Sequence, residues 1–307
     1  MIKDMKAGER ICQAVLLRVQ KIGNSSNGGI FAKGVAEDNS GHIQFICFER
    51  ELVNKLRDIE GPRAMIISGP VDIIKFSTDM GLQIIIQKLD KIMPEDDISH
   101  LLPKGNFNLA AYKEKLTSLI GQVRTPSVHQ LLERIFTGSF YEAFCRNPAG
   151  MKLHHAYAGG LLQHSVDVTE LALAMAYTIG KVDKDLIIAG ALLHDIGKVR
   201  EISASIGFPY TMEGRLLGHI AMSAMMVKQA ATEMKLSDAH IQHLEHIILA
   251  HHGDQEKGSP VPCATKESFI VHYADELNAI MNQFETADNN GQWEFNKMLQ
   301  RYLLVKN

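Results

Sequence analysis

Residues 189–198 read AGALLHDIGK, an apolar run that ends in a histidine and an aspartate side by side. A buried helix does not tolerate unpaired polar side chains. Neighbouring helix residues point about 100 degrees apart, so His194 can face one metal ion while the carboxylate of Asp195 reaches towards a second. Gly197 then ends the helix. The stretch therefore predicts a helix end that carries metal ligands.

Two further side chains extend this pattern along the chain. His164 lies among apolar residues in LLQHSVDV, and Asp275 lies in the apolar stretch IVHYADELNAIM, three residues after His272 on the same helical face. The simpler interpretation of a lone histidine in such a setting is a core residue whose ring nitrogens are hydrogen-bonded. A carboxylate there, however, requires a cation. Together with the pair at 194–195, these two side chains predict a buried metal site.

Three more histidines occupy similar places. His219 lies near a predicted helix start in EGRLLGHIAMS, and His251 and His252 close the apolar helix LEHIILA immediately before Gly253. Eleven of the fourteen histidines lie between residues 154 and 272, although exposed helix surfaces rarely select imidazole. Metal binding is the economical explanation of this density.

The composition is that of an ordinary globular protein. The 307 residues, with 46% hydrophobic and 22% charged content, allow two domains with a core each. No apolar run approaches the ~18 residues that a membrane span needs, so we expect a cytoplasmic protein without a membrane partner. The net charge of −3 argues against a protein that coats duplex DNA. Four widely separated cysteines indicate neither a disulfide framework nor a cysteine zinc site.

The hydrophobic period changes along the chain. From Ile11 to Asp90, alternating segments predict five strands, with the short helix ERELVNKLRDIEG between the third and the fourth. This order suits a small OB-type β-barrel, although SH3-like barrels share much of the pattern. After a polar linker at 94–106, apolar residues recur at three- and four-residue spacing. We therefore predict a multidomain α and β protein, with an OB-type barrel at 1–93 and an all-α helical bundle at 107–307.

The order of His164, His194-Asp195 and Asp275 matches the H…HD…D pattern, and by it the second domain resembles the HD superfamily of metal-dependent phosphohydrolases. The resemblance extends to the bacterial 3′-to-5′ exoribonucleases of the YhaM type, which join an OB domain to an HD domain. The phrases that carry it are NPAGMKLHHAYAGGLLQH, AGALLHDIGKV, TMEGRLLGHI, LAHHGDQEKGSP and HYADELNAIM. Two features depart from the pattern: PAGMK replaces a PAA-type run, and Asn278 stands where an aspartate is common.

The resemblance implies a binuclear centre in which Asp195 bridges two divalent ions. The first ion would be held by His164, His194, Asp195 and Asp275, and the second by Asp195, His219, His251 and His252. Imidazole with carboxylate suits Mn, Fe, Co or Zn better than Ca or Mg, and the family favours manganese.

The implied reaction is hydrolysis of single-stranded RNA, or of single-stranded DNA, from the 3′ end by a metal-bound hydroxide, with release of nucleoside 5′-monophosphates. Asp195 would lie at the catalytic centre, and Lys198 and Arg215 would bind phosphate oxygens. His155 would contact the substrate or protonate the leaving group. The simpler interpretation of Lys198 and Arg215 is that of solvated helix cations.

In the N-terminal domain, strand alternation places Phe31 and Lys33 on one face, where they are expected to stack a base and to contact the backbone of a single strand. Core packing is the simpler interpretation of most phenylalanines there. The wider set of candidates is Phe45, Phe48, Arg63, Lys75 and Phe76. The expected partner is thus single-stranded RNA or DNA, and the sequence leaves homo-oligomer formation open.

Three alternatives use the same residues. An HD phosphohydrolase for small nucleotides or cyclic nucleotides would have the same metal site, with the barrel serving in assembly. A non-catalytic nucleic-acid-binding factor would keep a structural metal site, and an HD-fold oxygenase would use a di-iron centre. Substrate length, the need for the metal and dependence on oxygen separate these functions.

Overall fold

A computed structural model describes most of the chain. The described residues are 1–24, 28–59, 61–74, 81–92, 99–151, 155–205, 207–236, 239–286, 291, 293–296 and 299–304. The chain divides into two compact units, Met1–Lys104 with Ser205–Gly207 and Gly105–Ala204 with Phe208–Asn307. Among the described helices, none is long and apolar enough to cross a membrane.

The first unit is a β-sheet with one helix inserted after the third strand. Its elements in order are β1 (Arg10–Asn24), β2 (Ile30–Asp38), β3 (Gly41–Cys47), α1 (Arg50–Arg57), β4 (Arg63–Ile73), β5 (Leu82–Ile85) and β6 (Lys88–Lys91). β1, β2 and β3 form an antiparallel meander. The β-rich first unit and the position of its helix confirm the prediction from hydrophobic period.

The strand pairings of this sheet return to their starting strand. β3 pairs in parallel with β5, β5 pairs antiparallel with β4, and β4 pairs antiparallel with β1. Five strands thus complete a circuit in the order β1-β2-β3-β5-β4-β1. Alternate side chains, among them Leu17, Phe45 and Ile67, are buried in the core of this unit.

The fifth predicted strand, residues 82–92, is divided in two. β5 pairs with β3 and with one end of β4, whereas β6 pairs with the first half of β4. The interruption falls at Ile86 and Gln87, whose backbone N–H groups donate to the carbonyls of Ile46 and Ser68. The chain therefore changes its pairing partner without losing backbone hydrogen bonds.

The second unit is helical, as predicted. Its helices are α2 (Leu109–Gln122), α3 (Pro126–Ile135), α4 (Gly138–Arg146), α5 (Gly160–Ile179), α6 (Lys184–Leu193), α7 (Lys198–Glu201), α8 (Met212–Glu233), α9 (Ala239–Ala250) and α10 (Lys266–Thr286). After α10, a hairpin of β7 (Trp293–Asn296) and β8 (Arg301–Leu304) adds two strands that the sequence analysis did not predict.

α6 is the most deeply buried helix of this unit. All its residues from Leu186 to Leu193 are buried, and it contacts α5, α9 and α10. Close packing against α9 depends on Gly190, because a Cβ there would lie 2.7 Å from Cγ2 of Ile247. The last turns of α6 and α9 are therefore held close together, and each is followed directly by a predicted metal ligand.

Candidate metal centre

The seven predicted ligands meet in one cluster within the helical unit. His164 lies on α5, His219 on α8 and Asp275 on α10, and the other four follow the ends of α6 and α9. Three groups have ligand atoms within 4.8 Å of one another: His164, His194 and Asp195; His194, His251 and Asp275; and His219, His251 and His252.

Asp195 stands between two sets of imidazoles and turns one oxygen to each. Its Oδ2 lies 3.3 Å from Nε2 of both His164 and His194. Its Oδ1 lies 3.4 Å from Nε2 of His219 and 3.7 Å from Nε2 of His251. A single carboxylate thus faces two separate groups of nitrogens, which is the arrangement that a bridging ligand requires.

The remaining two predicted ligands belong to opposite sides of Asp195. Oδ1 of Asp275 lies 3.1 Å from Nε2 of His164 and 3.8 Å from Nε2 of His194. The ring of His252 contacts those of His219 and His251, with centroids 5.3 Å and 4.5 Å away. Each side of Asp195 is therefore completed by one further side chain.

The outward nitrogen of each ring has a hydrogen-bond acceptor. Three of the Nδ1–H groups donate to backbone carbonyls: His194 to Ala191 at 2.7 Å, His251 to Ile248 at 2.7 Å and His252 to Lys257 at 2.9 Å. The other two donate to side chains: His219 to Oε1 of Glu201 at 3.1 Å and His164 to Oδ1 of Asn278 at 2.8 Å. Because these oxygens accept the Nδ1 proton, Nε2 is the nitrogen of each ring that would bind an ion at the centre of the cluster.

Three atoms in this cluster are buried without a hydrogen-bond partner: Nε2 of His219, Nε2 of His251 and Oδ1 of Asp195. Leaving a buried polar atom unsatisfied costs about 1–3 kcal/mol. All three present lone pairs, so no hydrogen bond between them relieves the cost, whereas a cation among them would satisfy every one. The donor set of imidazole nitrogen and carboxylate oxygen fits a divalent transition metal ion.

Both carboxylates of the cluster are held in the charged form. Burial alone would raise the pKa of Asp195, but Lys198 and His194 outweigh burial and hold the pKa well below its usual range. Burial likewise opposes ionisation of Asp275, and the hydrogen bond from His164 together with the charge of His194 lowers its pKa. Both carboxylates are therefore available as ionised ligands.

The imidazoles on the two sides of Asp195 differ in their proton affinity. Burial alone would lower the pKa of His164, but hydrogen bonds to Asp195 and Asp275 raise it to about 9. For His251, burial and the charge of His194 together lower the pKa well below the ordinary value. Burial lowers the pKa of His252 as well. The latter two rings are consequently neutral at neutral pH, which is the form that binds metals.

Lys198 points into the cluster rather than into solvent. Its Nζ lies 2.6 Å from Oδ2 of Asp195, and the side chain is only 13% exposed. A cavity of about 240 Å³ opens beside it. Its lining is formed by Ala149, His164, Lys198, His251, His252, Lys257, His272, Asp275, Glu276 and Ala279. No sequence pattern indicated Lys257, whose Nζ lies 2.6 Å from Oε1 of Glu276.

Two other predicted site residues lie elsewhere than expected. His155 is 2% exposed, and its ring contacts the hydroxyl of Tyr157 and Oδ1 of Asn278. Arg215 is exposed, its guanidinium lies 5.5 Å from the ring centroid of Tyr210, and it is outside the described lining of the cavity. Neither side chain is among the described residues that line the cavity.

In the first unit, the predicted pair has the expected orientation. Phe31 and Lys33 lie on β2 on either side of the buried Ala32 and therefore share the opposite face of the strand, where Lys33 is exposed and Phe31 is partly buried. By contrast, Phe45 is buried in the core, and the stacking role considered for it is wrong. Lys75 and Phe76 lie outside the described residues.

Glu201 is a further functional residue that the sequence analysis missed. Its Oε1 accepts hydrogen bonds from both the backbone N–H and Nδ1–H of His219, at 3.0 and 3.1 Å. α8 is interrupted just before this residue at Gly218, whose φ of 71° is accessible mainly to glycine. Glu201 thus satisfies the donor freed by the interruption and orients the ring. The glycine before His219 in a helical pattern is a sequence signal for the interruption, but it does not indicate which residue satisfies the freed donor.

Comparison with known proteins identifies a domain in this region. Residues 161–280, which contain all seven predicted ligands, match the sequence model of the HD domain. This match and the cluster of histidines and aspartates support a metal-dependent phosphohydrolase.

Three solved structures resemble parts of the chain weakly. The HD domain of the Listeria monocytogenes phosphodiesterase PgpH is 20% identical, the match spans 47% of this chain and 74% of the PgpH chain, and the TM-score is 0.31. A small single-stranded DNA-binding protein from Streptomyces coelicolor is 7% identical, the match spans 29% of this chain and 97% of that protein, and the TM-score is 0.24. Asparaginyl-tRNA synthetase from Pyrococcus horikoshii is 12% identical, the match spans 83% of this chain and 65% of the synthetase, and the TM-score is 0.23. Likeness at this level defines neither fold nor activity.

We expect the metal-free protein to lose stability as the pH rises. The pKa of His164 in the folded protein, about 9, is above its ordinary value of 6.5. The contribution of this ring is therefore complete below about pH 6.5 and is lost as the pH rises through 9. Denaturant unfolding of EDTA-treated protein at several pH values measures this change in the free energy of unfolding. His164→Gln should remove this pH dependence, whereas His129→Gln should retain it, and an unchanged dependence in His164→Gln would contradict the assignment.

Proposed function

We propose that this protein is a metal-dependent phosphodiesterase, and more narrowly a 3′-to-5′ exoribonuclease of the YhaM type that releases nucleoside 5′-monophosphates from single-stranded RNA or DNA. The observation that carries the first part is the position of Asp195, with one oxygen towards each of two imidazole groups. The match of residues 161–280 to the HD domain supports the same conclusion.

The ligand assignment follows the two sides of Asp195. With Asp195, His164, His194 and Asp275 would coordinate one ion. His219, His251 and His252 would coordinate the other. Manganese is the proposed metal, with Fe, Co or Zn as alternatives. When bound, such a pair of ions lowers the pKa of water and stabilises charge on phosphoryl oxygens. The low pKa values of Asp195 and Asp275 keep both carboxylates ionised, and those of His251 and His252 keep both imidazoles neutral, at neutral pH.

Two lysines of the cavity are placed to bind the phosphate. Once the oxygens of Asp195 are engaged by a cation, the ammonium of Lys198 remains beside them and can donate to a phosphate oxygen. Lys257 lines the same cavity with Glu276 as its partner, so it can exchange that carboxylate for phosphate. Both lysines lie at the cavity, and they replace Arg215 as the main proposed phosphate contacts.

The outer face of the β-unit supports a single-stranded nucleic acid as the substrate. Lys33 on β2 pairs directly with Lys21 on β1, and Phe31 pairs with Gly23 two residues further on. Directly opposed like charges destabilise a sheet unless an anion lies between them. An exposed cation pair beside an aromatic ring is typical of surfaces that bind single strands through phosphate contacts and base stacking.

The fold of the first unit agrees with this role. Its five-strand circuit, with a helix between the third and the fourth strand, is the arrangement that we interpret as an OB-type barrel. We retain residues 1–93, 94–106 and 107–307 as the proposed nucleic-acid-binding domain, linker and phosphohydrolase domain.

A 5′-labelled RNA of about 20 nucleotides tests the proposed reaction. We expect a ladder of labelled products, each one nucleotide shorter, that requires Mn²⁺, is abolished by EDTA and is absent for Asp195→Asn. Hydrolysis confined to mononucleotides or cyclic nucleotides would instead support the small-nucleotide phosphohydrolase. RNA binding without metal-dependent cleavage would support the non-catalytic factor.

The lysine pair on β1 and β2 has its own test. We expect Lys21→Ala with Lys33→Ala to weaken single-stranded RNA binding and to reduce the slope of log Kd against log salt by roughly 1.4, since each lost phosphate contact removes about 0.7. Hydrolysis of a small phosphodiester, bis(p-nitrophenyl) phosphate, should not change. Lys55→Ala with Lys88→Ala removes two exposed lysines elsewhere in the unit and should leave the slope intact. Equal slopes in both double variants would contradict the proposed surface.

A further inference from the structure

We propose that Asn278 and His155 are positioning residues, which together decide the ring nitrogen that His164 offers to the metal centre. The inference rests on the proposed metal site and deepens it. It assigns to His155 a role different from the substrate contact or leaving-group protonation expected from the sequence.

The amide oxygen of Asn278 lies between two imidazoles. It is 2.8 Å from Nδ1 of His164 and 3.0 Å from Nε2 of His155. An amide oxygen only accepts hydrogen bonds, so His164 keeps its proton on Nδ1 and its Nε2 faces Asp195 and Asp275 as a ligand. With the amide reversed, the NH₂ group would donate to Nδ1 and leave a proton on Nε2. The orientation of one amide therefore selects the metal-binding form of His164.

His155 holds the amide in that orientation. Its Nε2 lies 3.0 Å from the oxygen of Asn278, and a proton on that nitrogen donates to this oxygen; reversing the amide would then bring two donors together. The other ring nitrogen contacts the hydroxyl of Tyr157 at 2.7 Å, and this hydroxyl also lies 2.7 Å from Oε1 of Gln163. The ring of His155 is thereby fixed from both ends.

The backbone of His155 is also held in an uncommon conformation. Its φ of 52° lies in the left-handed region, and its N–H donates to Oδ1 of Asn282 at 2.7 Å. At Gly160, a Cβ would lie only 2.0 Å from the carbonyl oxygen of His155. Asn278 and Asn282 are one turn apart on α10, so a single helix face binds both the ring and the backbone of this residue. Backbone strain of this kind is concentrated at functional sites.

Burial separates this role from direct catalysis. His155 is 2% exposed, and both of its ring nitrogens already have partners. A group that protonates a leaving oxygen must reach it. His155 instead reaches the metal centre through Asn278 and His164, and hydrogen bonds of this outer kind commonly contribute 10–100-fold to metal affinity.

Metal titration of three variants tests the proposal. We expect Asn278→Leu to weaken binding of Mn²⁺ to EDTA-treated protein about 10–100-fold, and His155→Phe to weaken it in the same direction. Asn278→Asp keeps an acceptor towards both imidazoles and should retain the affinity. Gln283→Leu is the matched control, because it also removes a buried amide of α10, one that donates to the carbonyl of Ala279 and accepts from Asn296.

A spectroscopic measurement separates positioning from general stabilisation. In zinc-loaded protein, the Nδ1 proton of His164 should give a slowly exchanging downfield NMR signal in the wild type, Asn278→Asp and Gln283→Leu. The signal should be lost in Asn278→Leu. Unchanged affinity and an unchanged signal in Asn278→Leu would overturn the proposal, as would equal losses in Asn278→Asp and Asn278→Leu.

These readouts use no RNA, so the two proposals fail separately. A wild-type protein that binds metal but cleaves no phosphodiester would contradict the proposed function and leave the positioning pair intact. If the wild type is active but Asn278→Leu leaves the metal affinity unchanged, only the proposed positioning pair is contradicted.

Discussion

The carboxylate of Asp195 is buried between two groups of imidazole nitrogens, and the helical unit is arranged around the cost of placing it there. An isolated buried carboxylate is strongly disfavoured. Lys198 and His194 offset this cost for one oxygen, while the other faces the unpaired Nε2 atoms of His219 and His251. The protein thus leaves a set of buried polar atoms without hydrogen-bond partners, which is intelligible for a site that binds cations.

Packing of the surrounding helices determines where the ligands lie. α6 is buried over most of its length, and the absence of a side chain at Gly190 brings it against α9, so His194 and His251 follow two adjacent helix ends. The outward hydrogen bonds then orient each ring. Glu201 does so for His219, and Asn278 does so for His164. In the proposed centre, the affinity for metal would therefore depend in part on residues that never touch the ion.

Much of this architecture could be predicted from local sequence. Polar residues at the end of the apolar run 189–198 indicated metal ligands, and the change of hydrophobic period separated the β-unit from the helical unit. Contacts between distant segments were not predictable in the same way. Nothing near Glu201 or Lys257 in the sequence indicates the cluster, because the fold alone brings them there. The division of the fifth strand at Ile86 likewise follows from which strands meet it, not from its apolar pattern.

Anomalous X-ray diffraction from crystals of the manganese-loaded protein locates the ions without reference to activity. We expect two peaks per chain, about 3.5–4 Å apart as in two-metal sites, one on each side of Asp195. One peak would lie beside His164 and Asp275, and the other beside His219 and His252. A single peak that engages only one oxygen of Asp195, or peaks away from the cluster, would contradict this expectation.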